Sequence, residues 1–204
     1  MSPVMGLPTW AWVLAGFVLG AIAGSFLATI VSRWPRGASV MAGRSVCDGC
    51  GRALRPMELL PILSALVQRG RCRSCGAPIA GDHLAIELGG AIIGALAFGL
   101  ALGLAGAGWA LFGWLLLTLA ALDVRHLWLP DTLTAPLAGL GLALGGVTTG
   151  AWPIDRVIGA VAGFASLWLI RAGYRAIRGR EGLGLGDAKL LGGIGAWLGW
   201  QALP

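Results

Sequence analysis

Apolar runs alternate with short polar ones along the whole chain. Residues 9 to 31 pass without a charge, enough to cross about 30 Å of hydrocarbon at about 1.5 Å per residue. From Arg33 to about His83 the character turns polar and arginine-rich, with prolines and glycines throughout. Apolar runs return at 85–105, 108–123, 133–151, 157–171 and 189–203, the last two short for a full crossing. The pattern predicts an all-α polytopic membrane protein with about six transmembrane helices. It divides into a first helix at 1–32, a small domain at 33–84 and a transmembrane region at 85–204. Residues 1 to 10 carry no Lys or Arg, and the first run has no clear small-residue cleavage site. That run is therefore expected to stay as a span.

Composition agrees. A content of 57% hydrophobic and only 12% charged residues, with a mean hydropathy of +0.81, excludes an ordinary soluble domain. The 35 glycines suit helices packed closely in a bilayer. A pI of about 10.1 raises nucleic acid as a partner. The basic residues, however, lie in short blocks between apolar runs, the pattern of cytoplasmic loops, so no nucleic-acid partner is expected. With residues 1 to 8 outside, the loops at 32–84, 124–132 and 172–188 fall inside. Together with Arg171 and Lys189 at helix ends they hold 14 of the 15 Lys and Arg residues, leaving only Arg156 outside. The asymmetry predicts an even number of spans with both ends outside.

This topology brings two acids to the cytoplasmic face: Asp123 at the end of the third span, and Asp187 in Gly184-Leu185-Gly186-Asp187 before the sixth. An acid at the edge of hydrocarbon either caps a helix or has a function. Two carboxyl groups held together share one proton, so one can act as base toward a water while the other protonates a carbonyl. No HExxH is present, and His83 and His126 offer no obvious dyad with Ser or Cys. Cys47, Cys50, Cys72 and Cys75 read as C-x2-C-x21-C-x2-C. That spacing suits a structural zinc with four thiolates, free or redox thiols being the alternative. Such a knuckle would fold a stretch of about 50 residues, too small to build much core of its own. Its arginines either meet anionic lipid headgroups or are simply solvated. Glu87 either pairs with a loop arginine or lies near a second site.

Taken together, Asp123 in ALDVRHLWLPDTLT, the GLGDAKLLGGIGAWLGW run, GSFLATIVSRWP at 24–35, the two CxxC pairs, RGRCRSCGAPI at 69–79 and AIELGGA resemble the type IV prepilin peptidases. These are intramembrane aspartic proteases of the GxGD type. The resemblance covers most of the chain and implies that Asp123 and Asp187 are catalytic, with Asp131 a structural or capping acid. It implies a multi-pass protein of the bacterial inner membrane, with its site at the cytoplasmic face. The substrates implied are type IV prepilins or pseudopilins, cut after a Gly in the leader. Methylation of the new N-terminus with S-adenosylmethionine commonly follows. Where the first motif commonly continues with Asn, this chain has Ala28, which removes an amide from the methyl-transfer expectation. The competing reading is a non-catalytic zinc-knuckle scaffold of a pilus or secretion assembly.

Overall fold

The structure, a computed structural model, describes residues 7–79 and 81–203. The placement of residues 1 to 8 outside the membrane thus falls, for residues 1–6, outside the described residues. The helices are α1 (Thr9–Arg33), α2 (Leu63–Val67), α3 (Gly81–Leu100), α4 (Gly103–His126), α5 (Asp131–Thr149), α6 (Pro153–Arg178) and α7 (Leu185–Leu198). Among the described residues there is no strand beyond two isolated bridges, Val46 with Ala53 and Arg71 with Pro78. Among the described residues five helices are long and apolar enough to cross a membrane: α1, α3, α4, α5 and α6. The expected fifth span is not short. It runs 26 residues because the helix continues through Arg171, Arg175 and Arg178 instead of stopping at the first charge. The sixth, α7, is 14 residues long, about 21 Å, and begins early enough that Asp187 lies inside its first turn.

The chain forms two compact units, Met1–Leu102 and Gly103–Pro204. In the first, α1 and α3 run antiparallel with their backbones in contact. Gly16 faces Gly94, Gly20 faces Gly90, and a Cβ at Gly24 would lie 2.8 Å from the Glu87 Cα. Small residues at four-residue spacing on both helices are what this approach requires.

In the second unit α7 packs against α5 and α6. The indole of Trp197, fully buried, donates from Nε1 to the Leu137 carbonyl at 2.7 Å and lies 5.0 Å from the Phe112 ring. Leu119 and Leu137 complete this core. Arg156, expected as the one charge outside, is 7% exposed. Its Nη1 donates to the carbonyls of Gly141 at 3.2 Å and Leu142 at 2.7 Å. A Cβ at Gly145 would come within 2.9 Å of the Arg156 Cδ. The guanidinium therefore counts as an α5–α6 bracket rather than a loop charge.

Candidate active site and thiolate cluster

Helix α4 ends where Leu127 turns left-handed at φ 48°, its N–H bonded to the Asp123 carbonyl at 2.8 Å. The chain reverses through Leu129 and Pro130, and α5 opens on Asp131. Asp123 stands one turn before this corner and is half-buried. The facing corner is Gly184-Leu185-Gly186-Asp187. Asp187 Oδ2 accepts the Gly184 N–H at 3.1 Å, which ties the carboxylate back to the start of α7. Gly186 lies against Leu129 so closely that a Cβ would sit 2.7 Å from the Leu129 Cβ. Lys189 Nζ reaches Asp131 Oδ1 at 2.5 Å. The end of α4 and the starts of α5 and α7 thus gather at one end of the second unit, with Asp123 and Asp187 both there. No hydrogen bond joins their carboxylates among the described residues.

Sequence reading missed the residues that hold the glycine corner. Arg171 donates to the Leu183 carbonyl and to Glu181, which Arg175 also reaches at 3.5 Å. Gly182 lies over the Tyr174 ring, where a Cβ would come within 2.5 Å of Cε1. The available signal was one acid, Glu181, among the arginines of this loop. Asp131 is the first residue of α5 but caps nothing there; its partner is Lys189.

The four cysteines come together. Each CxxC sits in the same turn: Gly51 N–H bonds Cys47 O at 2.8 Å, Gly76 N–H bonds Cys72 O at 2.9 Å, and both glycines are left-handed. The four Sγ atoms all lie within 4.8 Å of one another, Cys47 and Cys75 at 3.7 Å. A tetrahedral zinc with Zn–S of about 2.3 Å sets its sulfurs about 3.8 Å apart, so the cluster fits a metal. The thiols differ in acidity. N–H groups of Cys75 and Ser74 lower Cys72 to about 6. The Ala77 N–H favours the Cys75 thiolate, yet burial and the sulfurs of Cys50, Cys72 and Cys47 push that thiol up to about 11. Beside the cluster, Arg52 makes a two-pronged bond to Glu58 at 2.8 and 3.0 Å and approaches Cys72 Sγ at 4.0 Å. That bond and the Arg55 N–H hold Glu58 down at about 2.

Glu87 pairs with no loop arginine. Its Oε2 accepts the Ile62 N–H at 2.8 Å, and Oε1 lies 3.7 Å from His83 Nε2.

Fold and site together define a multi-pass membrane protein with a thiolate cluster in one unit and an acid-bearing corner in the other. Its first part, residues 18–100, matches the bacterial peptidase A24 N-terminal domain, and residues 110–204 match the type IV leader peptidase family. The chain belongs to the type IV leader peptidase family and is a peptidase. It is similar to the prepilin leader peptidase/N-methyltransferase of Burkholderia pseudomallei, 40% identical over all of this chain and 74% of that protein. Proteins of the same name in Aeromonas hydrophila and Dickeya chrysanthemi are 38% and 40% identical, over 98% and 95% of this chain and 77% of each relative. No solved structure matches the chain.

Proposed function

We propose that the chain is a membrane-embedded aspartic endopeptidase that removes the N-terminal leader of type IV prepilins or pseudopilins at the cytoplasmic face, with Asp123 and Asp187 as its dyad. The observation that carries this reading is the packing of Gly186 in the Gly184–Asp187 corner against Leu129, in the turn that follows the Asp123 end of α4. Asp187, in the first turn of α7, is assigned the base role, and Asp123, in the last turn of α4, the acid role. Asp187 removes a proton from water, whose oxygen attacks the scissile carbonyl carbon, while Asp123 gives its proton to the carbonyl oxygen. In collapse Asp187 passes its proton to the leaving nitrogen, and Asp123 recovers one from the hydroxyl. The bias of Lys and Arg toward the loops that alternate with the spans supports a cytoplasmic site.

The cluster of Cys47, Cys50, Cys72 and Cys75 would hold zinc. Bound there, the ion would crosslink the two CxxC turns and would supply folding energy. N-methylation of the trimmed pilin with S-adenosylmethionine rests on the relatives' name. Two shallow surface depressions do not fit that donor. One is lined by apolar side chains of α1 such as Trp10, Leu14 and Val18. The other, lined by Ile158, Ser166, Leu191, Trp200 and Gln201 among others, offers no acid for a ribose.

The Gly184–Asp187 bond also suits a purely structural Asp187, as in a scaffold protein, and asparagine separates the two. Its side-chain oxygen still accepts the Gly184 N–H, so the cap survives while the acid is lost. In vesicles containing the full chain and a prepilin-like substrate, Asp187→Asn and Asp123→Asn should each stop cleavage, read by mass spectrometry of the product N-terminus. The thermal midpoint should be unchanged. Cleavage retained in either variant refutes the dyad.

A further inference from the structure

The segment Pro56–Val67 has the wrong polarity for a solvated loop. Met57, Leu59, Leu60, Leu63, Leu66 and Val67 are 42–75% exposed, in a stretch whose single charge, Glu58, is buried and bonded to Arg52. Six exposed large apolar side chains within twelve residues mark an interaction surface.

Its position says with what. The Ile62 N–H is held by Glu87, six residues into α3 and so about 9 Å along it. Glu87 in turn lies against Gly24, nine residues or about 13 Å from the end of α1. Ile62 joins Ala21 and Ala91 in one buried cluster. The tip of the segment therefore lies beside the apolar runs of α1 and α3, inside their polar ends.

Irregular backbone survives at such depth only if its polar groups are satisfied by protein. Pro56 and Pro61 have no N–H to satisfy. Ile62, at a positive φ of 64°, which is costly for a β-branched residue, gives its N–H to a buried carboxylate. Leu63, Ser64 and Leu66 bond back to Pro61, Leu60 and Ile62. Arginines close both ends: Arg55 immediately before the segment, Arg69, Arg71 and Arg73 just after it, all exposed. Apolar side chains toward acyl chains with arginines at the headgroup level are the signature of an interfacial element on anionic lipid.

We propose that residues 56–67 are a re-entrant wedge that enters the cytoplasmic leaflet beside α1 and α3, anchored by the Glu87–Ile62 bond and by arginines in an anionic headgroup layer. The thiolate cluster, whose Cys72 follows five residues after Val67, is thereby held at the membrane surface.

The test places a spin-labelled noncanonical amino acid at Leu63 or Leu66, sparing the cysteines, in the full chain in phosphatidylethanolamine/phosphatidylglycerol vesicles. Collisions with oxygen and with a water-soluble nickel chelate are compared with labels at Val18 on α1 and Met41 in the loop. Both wedge sites should favour oxygen as Val18 does. Nickel access like that of Met41 overturns the proposal, and so does shielding from both reagents, which would assign the surface to a protein partner. The unaltered chain gives a second readout in vesicles whose lipids carry a diazirine in the acyl chain. Adducts on 56–67 support the wedge; adducts confined to the spanning helices refute it.

Discussion

Arg171 Nε donates to the main-chain carbonyl of Leu183 at 3.1 Å, one residue before the corner that carries Asp187. The same guanidinium reaches Glu181 at 2.7 Å, and its side chain is only 19% exposed. One planar group thus fixes the loop in two directions. Arg171→Ala should leave the helices intact but let the corner drift, and a misplacement near 1 Å costs about 10²-fold in rate. The loss should fall on kcat for leader cleavage. Arg171→Lys, with no fork to hold two acceptors, should recover only part of it. Unchanged kcat in Arg171→Ala would remove Arg171 from any positioning role.

Asp131 and Lys189 form a pair whose side chains are 71% and 32% exposed. Such pairs contribute about 0–1 kcal/mol. Asp131→Asn should therefore shift the thermal midpoint little and keep cleavage within a few fold, in contrast to Asp123→Asn and Asp187→Asn. Abolished cleavage in Asp131→Asn would mean the acid roles have been assigned to the wrong residues.

Most of the helical plan was legible because an apolar run declares itself. The first span, read as 9–31, is α1 at Thr9–Arg33. What was not legible depends on atoms from distant positions. Arg156 read only as the one basic residue left outside, because its acceptors, two main-chain carbonyls of α5, leave no mark in sequence. The length of α6 was missed because charge was taken as the end of the helix, whereas arginines at a helix end can extend beyond the hydrocarbon. For Glu87 the sequence offered a loop arginine or a second site, because charge suggests charge or function, whereas its neighbours are the Ile62 N–H and His83. The thiols were readable since CxxC turns are local; the arrangement around Asp187 was not, because Arg171 acts from another helix.

Stripping the metal tests the cluster. Chelation, or Cys50→Ser, should abolish metal binding and lower the midpoint of the first thermal transition. Gly49→Ala should also weaken binding, because a Cβ there would lie 2.6 Å from the Ala77 Cβ and 3.4 Å from Cys75 Sγ. Metal content by mass spectrometry under non-denaturing conditions reads both. The pH dependence has a definite sign. Glu58, held at about 2 by Arg52 and then the Arg55 N–H, contributes its stabilisation fully above its unfolded value of about 4.3 and loses it as pH falls toward 2. Between pH 7 and 5 the Arg52–Glu58 pair is therefore unchanged. Metal loss in that window reports thiolate protonation, and Glu58→Gln should not move its midpoint.

The glycines make a matched pair of tests. At Gly139 on α5 an added Cβ meets nothing within 4 Å, so Gly139→Ala keeps only the helix-propensity gain, about 0.5–1 kcal/mol. At Gly90 on α3 the same Cβ would lie 2.6 Å from the Gly20 carbonyl oxygen and 2.8 Å from the Gly24 Cα. Both are backbone atoms and cannot rotate away, so the helices must separate, and overpacking of this kind costs about 1–3 kcal/mol. That exceeds the propensity gain, so Gly90→Ala should lower the thermal midpoint while Gly139→Ala raises it. The α1–α3 separation also sets the bond between Glu87 and Ile62, because Glu87 lies one helical turn from Gly90. Gly90→Ala should therefore speed hydrogen exchange at the Ile62 amide as well. Equal midpoints for the two variants would mean that α1 and α3 are not packed backbone to backbone.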